Sequence, residues 1–213
     1  MSDFHTRRIT MVDTQVRPQD VTKFPIIAAM LAVAREDFVP QAAREAAYVG
    51  GNIPLGARRV VLEARSLAKL LDALDVVPGD KVLCLAAGYG YAAAVLAEMG
   101  ADVVAVEEDA TMAAAATQSL QGQAKVVNAA LSKGSVADGP YDVILLEGGA
   151  EAFPAALEAQ VKEGGRLGAI FMEGALGVAR IGHKRDGKVT WRYAFNATAP
   201  VAPGFEAVRA FVL

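Results

Sequence analysis

The stretch Lys81 to Asp109, KVLCLAAGYGYAAAVLAEMGADVVAVEED, constrains the fold of this chain more than any other. A short apolar run, Val82–Leu85, leads into a glycine-rich turn. A helical segment, Tyr91–Met99, a second apolar run, Val103–Val106, and three acids follow. Two strand-length runs joined through a helix pair in parallel, since an antiparallel pair needs only a short turn. Parallel strands need cover on both faces. Gly88 and Gly90 let a ligand approach the backbone, where the N–H groups at the helix start point at it. Glu107 lies 19 residues after Gly88, at the end of the second run. A carboxylate there can accept the hydroxyl protons of a ribose. The unit is thus a candidate nucleotide site; a close-packed turn holding no ligand is the alternative.

The rest of the core alternates in the same way. Strands are expected at Lys125–Val127, Tyr141–Leu146 and Arg166–Phe171, and helices at Ala110–Leu120 and Pro154–Val161. This alternation predicts an α/β fold with a parallel sheet. After Phe171 the pattern changes. Asp186-Gly187 separates two alternating runs, a hairpin signal, and FEAVRAFVL reads as a last strand. Before the core, a surface helix is expected from Thr6 to Val16, and a second with Phe24, Ile27, Met30, Leu31 and Ala34 on one face. Pro40 should open another. GGNIPLGARRVVL reads as loop and extended chain. Leu67, Leu70, Leu71 and Leu74 have the spacing of an amphipathic helix.

At 213 residues the chain suits one domain, and with 54% hydrophobic residues it can bury a large core. No apolar run approaches the ~18 residues of a spanning helix, and MSDFHTRRIT lacks the apolar segment of an export signal. One cysteine, Cys84, excludes an internal disulfide framework; mid-strand, it is expected to be an inert core thiol. A cytoplasmic protein is expected. The net charge of -3 excludes the basic footprint of a nucleic-acid binder. The short basic pairs at Arg7 and Arg58 read as ordinary surface charge. His5 and His183 have no metal-ligand spacing.

GYGYAA can be read as the dinucleotide pattern G-x-G-x-x-A. The long segment before it and the antiparallel finish fit better with AAGYGY as the glycine turn of S-adenosylmethionine enzymes. The chain then resembles the protein-L-isoaspartate O-methyltransferase family over most of its length. MVDTQVRPQDVTKFPIIAAMLAVAREDFVPQAAREAAYVGGNIPLG is similar to the family's N-terminal extension with its FVP and PLPIG lead-in. LDVVPGDKVLCLAAGYGYAAAVLAEMG is similar to its glycine motif, and GPYDVILLEGGAEAFPAALEAQVKEGGRLGAIF to its later strand–helix–strand segment.

The resemblance implies a Rossmann-like S-adenosylmethionine-dependent methyltransferase fold. Its sheet would be seven-stranded and mixed, with an antiparallel C-terminal end and a helical N-terminal extension. A single domain, 1–213, would divide into an extension, 1–62, and a cofactor-binding core, 63–213. The implied cofactor is S-adenosyl-L-methionine, held by Ala86, Gly88, Tyr89, Gly90, Glu107, Glu108, Asn128, Ala129 and Glu147. The implied substrate is a protein or peptide carrying an L-isoaspartyl carboxyl, methylated in protein repair. No membrane partner is implied.

The sequence departs from the family at telling places. Where the family has GYGQTIS, with Thr and Ser near the methyl acceptor, this chain has Val60, Val61 and Leu62. Arg58 or Arg59 could instead carry an acceptor carboxylate. Cys84 and Ala86 replace the family's acid and first glycine, and Asn128 and Ala129 replace a glycine and the aspartate beside the adenine. Asn128 could still bond a base edge. Glu147 replaces a small polar residue; it reads as either a cofactor neighbour or a solvated strand-end acid. Methyl transfer to another acceptor, and a non-catalytic cofactor-binding or interaction protein, are the alternatives.

Overall fold

The computed structural model describes residues 3–56 and 58–207. The extension opens with α1 (Phe4–Met11), capped by the Asp3 side chain and continued by one π-helical stretch, Val12–Val16. Next comes α2 (Phe24–Ala32), which stops short of Ala34. Pro40 opens a 3₁₀ segment, Gln41–Ala46, where an α-helix was expected. The expected loop and extended chain is an antiparallel hairpin, β1 (Ile53–Gly56) and β2 (Arg59–Val61). It forms a two-stranded sheet of its own. α3 (Ala64–Leu74) buries Leu67, Leu70, Leu71 and Leu74 completely, as their spacing requires.

The core runs β3 (Lys81–Leu85), α4 (Tyr91–Glu98), β4 (Asp102–Glu107), α5 (Ala110–Leu120), β5 (Lys125–Asn128) and β6 (Tyr141–Ala150). It continues through α6 (Ala155–Glu158), β7 (Val161–Glu173), β8 (Leu176–Arg185) and β9 (Lys188–Asn196). The helix expected over Pro154–Val161 is a single turn, because Val161 already pairs with Tyr141 and draws the chain into β7. Asp186 and Gly187, at φ 52° and 72°, make the tight turn between β8 and β9. Phe205–Ala207 form no strand; the remainder of the strand expected over FEAVRAFVL lies outside the described residues. No helix among the described residues is long and apolar enough to cross a membrane.

The seven strands stand in the order β5-β4-β3-β6-β7-β8-β9, parallel from β5 to β7 and antiparallel through β8 and β9. The chain builds outward from β3 to β5, then crosses back to place β6 on the other side of β3. The carboxyl ends of the strands at such a reversal are the usual ligand position in sheets of this kind.

Strand alternation decides which side chains face which cover. Val82, Cys84, Val103, Ala105, Val143 and Leu145 join the larger apolar cluster, shared with α2, α3, α4 and the extension. Their neighbours Leu83, Leu85, Val104, Val106, Ile144 and Leu146 join a smaller cluster on the opposite face. With a period of two, Glu107 and Glu147 follow the first set, onto the side covered by the extension. Arg35, fully buried in that extension, donates to Ala47 O and Leu62 O, both at 2.7 Å. Its guanidinium lies 4.6 Å from the centre of the Tyr91 ring. One side chain thus ties the extension to the end of β2 and to the start of α4.

Arg35→Met keeps most of the apolar stem but leaves both carbonyls without that donor. It should lower the unfolding free energy by about 2–4 kcal/mol, read as a shift in urea midpoint at constant slope.

Candidate functional site

The turn after β3 stands at this reversal of strand order. Ala86 has φ 58°, a left-handed conformation that favours glycine, and its methyl is fully buried. Gly88 and Gly90 follow at φ 55° and 98°. A side chain at Gly90 would stand 3.0 Å from Leu120 Cδ1, so this glycine lets α5 pack on the turn. Gly90 therefore has a packing role beside the ligand approach expected of it. A methyl on Gly88 would stand 2.6 Å from Leu55 Cδ1. Leu55, from β1, therefore fills the space beside this glycine.

The registered pairs Leu85↔Val106 and Leu85↔Leu146 put Glu107 and Glu147 one step further on, flanking Ala86. Glu107 is wholly buried and does not face an open groove. Arg59 Nε donates to Oε1 at 3.1 Å and to Oε2 at 3.0 Å. The amide of Gly88 donates to Oε2 and that of Asp109 to Oε1, both at 2.9 Å. Arg59 Nη2 also pairs with Glu108 Oε1 at 3.2 Å. The Arg59 side chain is 1% exposed, so the expectation of ordinary surface charge is corrected. β2 begins at Arg59, and Gly56 and Arg58, both in the left-handed region, reverse the hairpin so that this side chain reaches inward. Arg58 points outward and pairs with Glu206 at 2.6 Å.

Asn128 Nδ2 donates to Glu107 O at 2.8 Å and Glu108 O at 3.0 Å, and Ala129 N donates to Glu107 O at 3.2 Å. Asn128 thus spends its amide on the backbone after β4. Tyr89 is half-buried against the larger apolar cluster. Val60, Val61 and Leu62 are buried in that cluster too.

Glu147 is 2% exposed, which excludes a solvated strand-end acid. Neither of its oxygens makes a formed hydrogen bond. Burial pushes its carboxyl up to about 8; Arg35 and the backbones of Leu62 and Ala92 pull the other way, and Glu107 adds to the rise. Arg35 Nη1 and the Tyr91 hydroxyl are likewise buried without a hydrogen-bond partner. Burial, then Glu147 and Glu107, hold the Cys84 thiol well above its usual range, so it stays a protonated core residue.

The sequence profile of the family described as Protein-L-isoaspartate(D-aspartate) O-methyltransferase matches residues 8–197. The chain belongs to the protein-L-isoaspartate O-methyltransferase family. Among curated relatives, the protein-L-isoaspartate O-methyltransferase of Methylorubrum extorquens (strain PA1) is 38% identical over 163 residues, 75% of this chain and 72% of that one. The enzyme of that name from Koribacter versatilis (strain Ellin345) is 32% identical over 171 residues, 78% and 77% of the two chains. A solved protein-L-isoaspartate O-methyltransferase superposes with a TM-score of 0.81 at 22% identity, over 92% of this chain and 66% of that one. A second, from Plasmodium falciparum and in complex with S-adenosyl-L-homocysteine, gives 0.77 at 14% identity over 94% and 98%. These two likenesses show the fold.

The site residues do not fit a nucleoside as they stand. Glu107 would have to accept from a ribose, but three N–H groups already take both its oxygens. The space beside Gly88 holds Leu55. Leu55 was not foreseen as part of the site, and Arg59 was foreseen only as a carrier of the acceptor carboxylate, not as the partner of Glu107. The signal for Arg59 was an arginine heading the apolar run RVVL; a charge so placed either leaves the strand or is buried with a partner.

Glu147 yields a test. Its folded carboxyl titrates above the unfolded one, so its protonated form stabilises the fold. That contribution is complete below the unfolded value of about 4.3 and is lost as pH rises through about 8. Stability should therefore fall across that window by on the order of 5 kcal/mol from this group. In Glu147→Gln the fall should be largely absent, as read from urea unfolding at pH 5, 7 and 9.

Proposed function

We propose that the chain is an S-adenosylmethionine-dependent methyltransferase of the isoaspartyl type, acting in the cytoplasm on a carboxyl group of a protein or peptide. The observation that carries this reading is the position of the glycine turn and Glu107. They sit at the strand-order reversal, in a chain whose family match runs from residue 8 to residue 197. With Arg59 and Leu55 where they stand, a nucleoside has to displace both side chains to reach Glu107 and Gly88.

The acceptor side is also poor in donors. Val60, Val61 and Leu62 bring only aliphatic groups, and all three are core residues. Arg59, which could have held an acceptor carboxylate, is committed to Glu107 and Glu108. Arg58 is exposed and paired with Glu206. An anion held without a hydrogen bond is costly to desolvate. Turnover on isoaspartyl peptides is therefore expected to be weak. The same two observations favour a second reading, in which the chain is a non-catalytic member that keeps the fold and has lost the cofactor.

Titration calorimetry with S-adenosylhomocysteine, paired with methyl transfer to an isoaspartyl peptide and its aspartyl twin, separates the two. A methyltransferase binds the ligand and methylates the isoaspartyl peptide slowly. Val60→Thr, the nearest isostere, should then raise that rate roughly tenfold, the value of one hydrogen bond to a charged group. No binding at millimolar ligand favours the non-catalytic reading, and fast isoaspartyl-selective turnover by the wild type contradicts the acceptor account.

A further inference from the structure

We propose that Arg59 and Leu55 are internal occupants of the nucleotide groove, so that the cofactor binds only in competition with two side chains of the protein itself. This rests on the reading of the groove as an S-adenosylmethionine site. A ribose would offer Glu107 hydroxyl donors at its two oxygens. Arg59 offers the same carboxylate an N–H at 3.1 and 3.0 Å. A nucleoside would lie against the bare backbone of Gly88, and Leu55 Cδ1 occupies that space instead. The occupant thus mimics both features that a ligand would use, a donor for the acid and an apolar body against the glycine.

The local architecture suits side chains that stand in for a ligand. Val60, Val61 and Leu62 anchor the far end of β2 in the core. Asn52 closes the base of the hairpin: its Oδ1 accepts from Glu63 N at 2.8 Å, and its Nδ2 donates to Thr198 O at 2.8 Å. The hairpin is a separate two-stranded sheet, so releasing Arg59 and Leu55 breaks no ladder of the seven-stranded one. Glu108 pairs with Arg59 and is 33% exposed, against 0% for Glu107. A guanidinium that leaves Glu107 for Glu108 moves towards water without losing every partner. The acid then accepts from the ligand, and the pairing lost is replaced in kind.

The apparent affinity of a ligand falls by the fraction of molecules in the competent state. Removing the occupant should therefore tighten binding although it removes a group from the groove wall. The test is calorimetric titration with S-adenosylhomocysteine of the wild type, Arg59→Gln, Leu55→Ala and the double variant Arg59→Gln/Glu107→Gln, each first shown to melt cooperatively. Arg59→Gln should bind roughly tenfold or more tighter than the wild type. Leu55→Ala, which leaves the ion pair intact and carries the test if Arg59→Gln does not fold, should show a smaller gain. The double variant should lose the gain, because the acid that receives the ribose is gone. Equal binding by the wild type and the single variants overturns the competition but leaves the cofactor reading standing. No binding by any folded variant overturns both.

Discussion

The Glu107 carboxylate sits where water does not reach, and its two oxygens are held by the amides of Gly88 and Asp109 and by Arg59. Three parts of the chain meet on this one group: the turn after β3, the end of β4 and the hairpin of the extension. A buried acid stripped of its counter-charge costs about 3–5 kcal/mol. The hairpin's position is therefore coupled to the acid's charge, and so is the shape of the groove. The acid expected to receive a ribose is the one that holds a protein side chain, Arg59.

The second acid on that face is met differently. Glu147 receives no direct partner, and burial leaves its carboxyl titrating at about 8. Arg35 stands near enough to oppose that shift, but it spends its own donors on Ala47 O and Leu62 O. Two arginines of the extension thus lie over two acids of the core, one as a tight ion pair and one at a distance. Strand alternation places both acids on the extension's side. That segment is therefore part of the site as well as a cover for the sheet.

Much of the fold was legible in the sequence because hydrophobic periodicity reports burial directly. The leucines of α3, the runs in β3, β4 and β6 and the Asp186-Gly187 turn each sit where their pattern requires. The helix over Pro154–Val161 was misjudged because pairing of Val161 with Tyr141, a contact between distant residues, overrides local helix preference. Glu107 was legible from its spacing to Gly88, but its partner was not. The contact joins residues 48 apart in the chain, and nothing local separates a solvated arginine from one that is buried with an acid. Gly90 resembles Gly88 in sequence; only the packing of Leu120 over one and Leu55 over the other distinguishes them.

The most direct test of this account is a double-mutant cycle on Arg59 and Glu107, with Arg59→Gln, Glu107→Gln and the pair compared by urea unfolding without ligand. A buried, hydrogen-bonded pair that determines the groove should show a coupling of about 2–3 kcal/mol, the double variant being much less destabilised than the sum of the singles. Additive effects within ~0.5 kcal/mol would mean that Arg59 does not hold Glu107, and that the groove is shaped by something else.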